Sequence, residues 1–346
     1  MSANDFLLDA GIRHQIFVQR YAGGQVKELL GYLRDMVADV ERKLLEAQTL
    51  SEAQRLTTQL REIQNVIDDG LERMNRGLLD SVSDLAEYEA EFAVKTLNTA
   101  SKVDAVLPQS ELLRALVTTT PMGLQVGNAR QELTIEQAAQ TYSRKKSGEL
   151  RRVIQTGFVE GATVQDLTSQ VQRVAKRQRA QAEALVRTSI NHISSEARRE
   201  THLANADILK GEEFVAVLDN RTTIGCAALD GKIFPFNRGP QTPRHWNCRS
   251  VRVPALDDRF QEGGLVGTRA SKGSDFTGQV SAKRTYGGWL KDQSATFQDE
   301  VLGSDRGKLF RQGGLSIESF SDDMGRQYSL DELRLLEPVA FERAGI

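Results

Sequence analysis

Two cysteines in 346 residues cannot frame a disulfide-stapled fold. Aromatic residues make up 6% of the chain and prolines number seven, so neither an aromatic-rich binding platform nor an extended proline-rich segment is encoded. No stretch approaches the roughly 18 uninterrupted apolar residues of a membrane span, and the first residues, MSANDFLLDAGIRHQ, lack the basic-then-apolar order of a secretion signal. These features predict a protein made and kept in a cytoplasm, with reduced thiols. Charge of one sign is also missing. The 45 Lys and Arg nearly cancel the 47 Asp and Glu, so any attraction to nucleic acid has to come from a local patch.

What the chain has in abundance is helical periodicity. From Gln25 onward Val26, Leu29, Leu30, Leu33, Val37, Val40 and Leu44 recur three or four apart. A second stripe runs from Leu56 through Ile63, Ile67, Leu71, Leu78 and Leu85 to Leu97, with Ser51 placed as its N-cap. The two stripes predict a long antiparallel helical hairpin over residues 1–105. Its opposite face is acidic, with Asp35, Asp39, Glu62, Asp69, Glu72, Glu87, Glu89 and Glu91 reading either as a solvated surface or as a docking face for a basic partner. Residues 106–130, with Pro108, Pro121 and Gly123, break the period and read as a linker and domain boundary. Residues 131–256 then read as a helical plus small β domain, residues 257–284, rich in Gly, Ser and Lys, as a flexible tether, and residues 285–346 as a C-terminal tail. The fold class is α+β, mainly α-helical, with a small three-stranded β-meander.

The chemistry concentrates in residues 218–254, which hold both cysteines, one of the two tryptophans and one of the four histidines. Cys226, His245 and Cys248 are three soft or borderline ligands about twenty residues apart, related in spacing to zinc-ribbon patterns. Asp219 or Asp230 is the candidate fourth ligand. Two other readings stay open: a pair of buried apolar cysteines, and a Cys226–Cys248 disulfide. Residues 232–254 contain Lys232, Arg238, Arg244, Arg249 and Arg252 and no acid. Lys232, Arg238, Arg244 and Arg252 are the candidate contacts to DNA phosphates, and Arg249 is set aside as structural because it follows Cys248. No catalytic residue is assigned. A Cys226–His245 thiol–imidazole pair is conceivable, yet no hydrolase motif surrounds it. The run Gly303–Lys308 lacks the spacing of a phosphate loop.

Asp219-Asn220-Arg221-Thr222, Cys226, Asp230-Gly231-Lys232 and Pro243-Arg244-His245-Trp246-Asn247-Cys248-Arg249, taken in this order, resemble the signature of the phage head morphogenesis family, the Mu F-like minor head proteins. The likeness begins upstream, at Arg187-Thr188 and Ala197-Arg198-Arg199, and the tail from Tyr286 to Leu333 also looks like that of many members. Thr223 and Ser250 stand where some members carry further cysteines, so an all-thiolate site cannot be built. The resemblance implies a non-enzymatic minor structural protein in the capsid interior of a tailed phage or prophage, present in the host cytoplasm during assembly. Its implied partners are the portal protein, other head proteins and double-stranded DNA, the last held by phosphate contacts. Asp219, Arg221, Thr222, Asp230, Gly231 and Arg249 become signature residues. No cofactor is expected, and zinc is the one candidate ion. The alternatives are a DNA-binding module without sequence preference, or a cysteine- or metal-dependent enzyme on the same fold.

Overall fold

The computed structural model describes residues 2–126, 129–260 and 267–346. Helix α1 (Ala3–Glu46) starts well before the periodic stripe, because Ser2 caps it by accepting the Asp5 amide at 3.1 Å. A short turn leads to α2 (Glu52–Gln54), where Ser51 and Gln54 form a reciprocal capping box. A π turn over Arg55–Gln59 carries the chain into α3 (Leu60–Ser101), which ends on Lys102 in the left-handed region. The stripes of α1 and α3 interlock, Val26, Leu29, Met36 and Val40 facing Ile67, Leu71, Met74 and Leu78. Gly70 permits the closest approach, since a Cβ there would lie 2.6 Å from the Met36 Cβ.

Residues 106–130 do not separate two cores. Helix α4 (Ser110–Thr119) and an antiparallel hairpin of β1 (Met122–Val126) and β2 (Ala129–Leu133) bury Leu113, Leu116, Val117, Met122 and Leu124 in the core that α1 and α3 share. Helices α5 (Ile135–Glu160) and α6 (Val164–Ala204) complete that core with Leu150, Ile154, Val171, Leu185 and Ile190. Gly161, at φ 70°, ends α5, and Thr163 caps α6. The linker expectation failed because its apolar residues are too few to show a period yet enough to pin a short helix and one strand.

After α6 come β3 (Leu209–Val215), α7 (Ile224–Ala227), β4 (Ile233–Phe234) and β5 (Val251–Leu256). The antiparallel sheet has the order β4-β3-β5, so β3 is central and the strands do not form a meander. Helix α1 packs on β5, with Gly11 against Val253, and Leu7 and Leu8 join Val251, Val253 and Leu256 in a second core.

The stretch read as a tether is ordered where it is described. Strands β6 (Thr268–Lys272) and β7 (Thr277–Ser281) form a hairpin tied to the sheet region by the Lys272 amide, 2.8 Å from the Leu218 carbonyl oxygen. Residues 261–266 of that stretch lie outside the described residues. Helices α8 (Tyr286–Lys291), α9 (Ala295–Leu302), α10 (Ser304–Arg311), α11 (Leu330–Leu336) and α12 (Pro338–Ala344) enclose a further core in which Trp289, Leu290, Phe297 and Phe310 meet Leu218, Ile224 and Ala227. The run Gly303–Lys308 is the junction of α9 and α10. Among the described residues no helix is long and apolar enough to cross a membrane.

Candidate functional site

Two buried carboxylates fix the signature region. Asp219 ends the chain's run past β3 and turns it, its Oδ1 accepting the Arg221 amide at 3.0 Å. The same carboxylate takes both Arg249 Nη atoms, at 2.5 and 2.7 Å, which ties the loop after β3 to the loop before β5. Burial opposes ionisation of Asp219, but the Arg249 hydrogen bonds and charge outweigh it and hold the pKa below the usual carboxylate value. Thr222 donates to the Val217 carbonyl at 2.6 Å, and the buried Tyr286 hydroxyl donates to the Asp219 carbonyl at 2.7 Å. Arg221 projects into solvent, 3.6 Å from Asp219.

Asp230 does the same for the other end of α7. Its Oδ1 accepts the Ala216 amide at 2.7 Å, its Oδ2 accepts the Tyr286 amide at 2.7 Å, and Arg269 of β6 donates to both oxygens at 3.0 Å. Gly231 follows at φ 83°, a left-handed turn that returns the chain so that its amide reaches the Phe214 carbonyl oxygen at 2.8 Å. Arg269, which no motif singles out, is therefore a member of this site. Its only sequence signal is a lone arginine in a polar stretch, and the buried carboxylate that needs it is 39 residues away.

Between these anchors, Cys226, His245 and Cys248 converge. Their ligand atoms lie within 4.8 Å of one another, and both thiols are free. The Cys226 Sγ is 3.5 Å from the His245 Nε2, while the His245 Nδ1 lies 3.0 Å from the Trp246 carbonyl oxygen. The hydrogen bond from Cys248 lowers the Cys226 pKa against the effect of burial, and His245 lowers it further. The same bond, together with burial, raises Cys248. The cysteines sit on α7 and in the loop before β5, not at neighbouring strand ends. Neither Asp219 nor Asp230 belongs to the cluster, because each is consumed by an arginine.

Helix α6 and α1 hold the histidine–cysteine loop by backbone contacts. Thr188 Oγ1 accepts the Asn247 amide at 2.9 Å, and Asn191 Nδ2 donates to the Cys248 carbonyl at 3.1 Å. Gln15 of α1 donates to Asn191 Oδ1 at 2.8 Å and to the Arg249 carbonyl at 3.2 Å. Thr188 and Asn191 are polar residues on a buried helix face, a pattern that could have flagged them, whereas Gln15 precedes any detectable stripe. A cleft of about 860 Å³ opens beside this loop, bounded by α1, α6 and the sheet, and walled by Ile12, Arg20, Arg187, Arg221, Trp246 and His245.

The expected basic surface is largely spent on folding. Arg252 is buried, its Nε 3.1 Å from Glu212, which also meets His202 at 2.7 Å. Arg252 is therefore no phosphate contact. Arg244 donates to the Met324 carbonyl at 2.6 Å, which leaves Lys232 half-buried and Arg238 exposed. Exposed bases lie instead along α5 and α6, at Arg144, Lys145, Arg151, Arg152, Arg173, Lys176 and Arg179. On the acidic hairpin, Glu89 is not a surface residue. It is buried between His14, at 2.7 Å, and Arg198, at 3.2 Å.

A helical scaffold that clamps a three-stranded sheet and a histidine–cysteine loop through buried arginine–aspartate pairs defines a mainly α-helical α+β protein whose conspicuous residues serve internal architecture. Residues 148–253, under a third of the chain, match the family model described as Phage Mu protein F like protein, and in this region the chain is similar to the Mu F-like family. The match runs from within α5 into β5 and contains the cluster and the Asp219–Arg249 pair, but it stops short of the tail in which likeness was also expected. No curated protein and no solved structure matches the chain.

Proposed function

We propose that this protein is a minor structural component of the head of a tailed phage or prophage, placed in the capsid interior near the portal, where it assists head assembly and DNA packaging or release. The observation that carries the reading is the family match over residues 148–253, which falls on the part of the chain most densely cross-tied by buried ion pairs. Such a module suits a scaffold that must hold its shape inside an assembling particle. The role is structural, consistent with the commitment of Asp219 and Asp230 to Arg249 and Arg269, which leaves the Cys226–His245 pair without a carboxylate to orient it. Contact with the genome runs through the exposed bases of α5 and α6, which meet phosphates and read no sequence.

The deciding experiment is a reconstruction of the particle vertex without imposed capsid symmetry, paired with mass spectrometry of purified procapsids. Density for the α1–α3 hairpin beside the portal, at a copy number far below that of the major capsid protein, is expected. A protein absent from procapsids, or spread evenly over the shell, overturns the assignment.

A further inference from the structure

We propose that Cys226, His245 and Cys248 bind a zinc-class divalent ion, with the fourth coordination position left to water or an anionic oxygen donor entering from the adjoining cleft. They are the one group of three such side chains found among the described residues. Zinc bonds sulfur at about 2.3 Å and imidazole nitrogen at about 2.0–2.1 Å, so the sulfur–nitrogen edge of a tetrahedral site is about 3.6 Å. The Cys226 Sγ to His245 Nε2 separation is 3.5 Å, so an ion fits with almost no movement of these two side chains.

The surroundings select the ligand form of the histidine. An Nδ1–H donated to the Trp246 carbonyl at 3.0 Å leaves the Nε2 lone pair facing the Cys226 sulfur and the Thr223 hydroxyl, which is 3.2 Å away and gives up this contact when an ion binds. A carbonyl acceptor imposes the same tautomer on metal-binding histidines. The backbone of the Asn247–Cys248 segment is pinned from α6 by Thr188 and Asn191, so the histidine–cysteine arm is held before any ion arrives. Packing alone does not account for the grouping, since two buried thiols offer a half-buried imidazole only weak hydrogen bonds. Two thiolate sulfurs with one imidazole suit zinc and disfavour magnesium or calcium, which take oxygen donors.

The fourth position follows from what is already engaged. Asp219 and Asp230 hold arginines, and the Thr223 hydroxyl caps α7 by accepting the Cys226 amide at 3.4 Å. His245 and Cys248 both line the cleft, as do Arg20, Arg221 and Arg187, the last paired with Glu183 at 2.9 Å, so the arginines outnumber the acid and favour an anionic oxygen such as that of phosphate.

The test uses the full chain with cobalt(II) as a spectroscopic substitute and inorganic phosphate as the anion probe. Reduced protein is expected to take up about one metal per chain and to show thiolate-to-cobalt charge-transfer absorption with the intense d–d bands of a tetrahedral site. His245→Ala, a change at a half-buried position, and Cys248→Ser should each lose most of that uptake. Phosphate should shift the d–d bands of the wild type, and Arg221→Ala should weaken the shift while leaving cobalt loading unchanged. A reduced wild-type chain that titrates for two free thiols yet takes up no cobalt overturns the site, as does equal uptake by both ligand variants. Bands indifferent to phosphate overturn the open position.

Discussion

Several charged side chains that the sequence suggests are surface features are, in this protein, internal fasteners. Arg252 illustrates the point: replacing it by Ala leaves Glu212 buried without its guanidinium, and breaking a buried pair in this way costs about 3–5 kcal/mol. Arg238→Ala, at an exposed position in the same basic run, should stay within about 0.5 kcal/mol of wild type. Chemical denaturation of both variants checks the contrast, and equal stability would return Arg252 to the surface. Glu213 supplies a pH test. Burial, reinforced by Asp230, raises its pKa from 4.5 to about 7, against the pull of Arg269. A carboxyl with a raised folded-state pKa binds more protons folded than unfolded, so its contribution to stability is present below about pH 4.5 and is lost as pH rises through about 7. Glu213→Gln should therefore flatten the pH dependence of stability across that window, read as the difference between wild-type and variant melting temperatures.

At the scale of elements, the N-terminal hairpin and the family-matched module are not separable parts. Helices α1 and α3 cover the apolar faces of α5 and α6, while Leu7, Leu8 and Gly11 of α1 lie against β5. A chain beginning at Thr134 would expose Leu150, Ile154, Val171, Leu185 and Ile190 to water, which predicts an aggregating or molten product with no cooperative unfolding transition. Calorimetry of that truncation checks it, and a sharp transition would show that the module folds alone. The β6–β7 hairpin is bound just as firmly through Arg269, so Arg269→Ala should destabilise the fold by about 3–5 kcal/mol by stranding Asp230.

For the whole molecule, the near balance of charge gives no long-range attraction to a polyanion, so the proposed duplex contact rests on the exposed bases of α5 and α6. Affinity for DNA of unrelated sequences should then be similar and should fall steeply with salt. Replacing Arg144, Lys145, Arg151 and Arg152 by Ala should reduce the salt slope by roughly one unit for each phosphate that is no longer neutralised, since each neutralised phosphate releases about one counterion. Replacing Lys232 and Arg238 should change it less. Fluorescence anisotropy at several salt concentrations measures both, and the reverse order would restore the run 232–254 as the phosphate surface.

The local code determined a good deal on its own. Stripes of Leu, Ile and Val at helical spacing specified the α1–α3 hairpin, because an apolar face repeated over many turns has one economical way to be buried. Ser51 marked a helix start through hydrogen bonds that close within three residues. The grouping of Cys226, His245 and Cys248 was also legible, as was the membership of Asp219, Arg249 and Asp230 in one signature. Tertiary structure decided what each charge does. Nothing adjacent in sequence shows that Arg252 meets Glu212, that Glu89 lies beneath His14 and Arg198, or that Asp230 waits for Arg269, because the attraction between such groups becomes decisive only once packing has removed the water around them. It also decided the strand order, since β5 pairs with β3 and not with β4, its predecessor in the chain, a contact between residues 38 positions apart at Phe214 and Arg252.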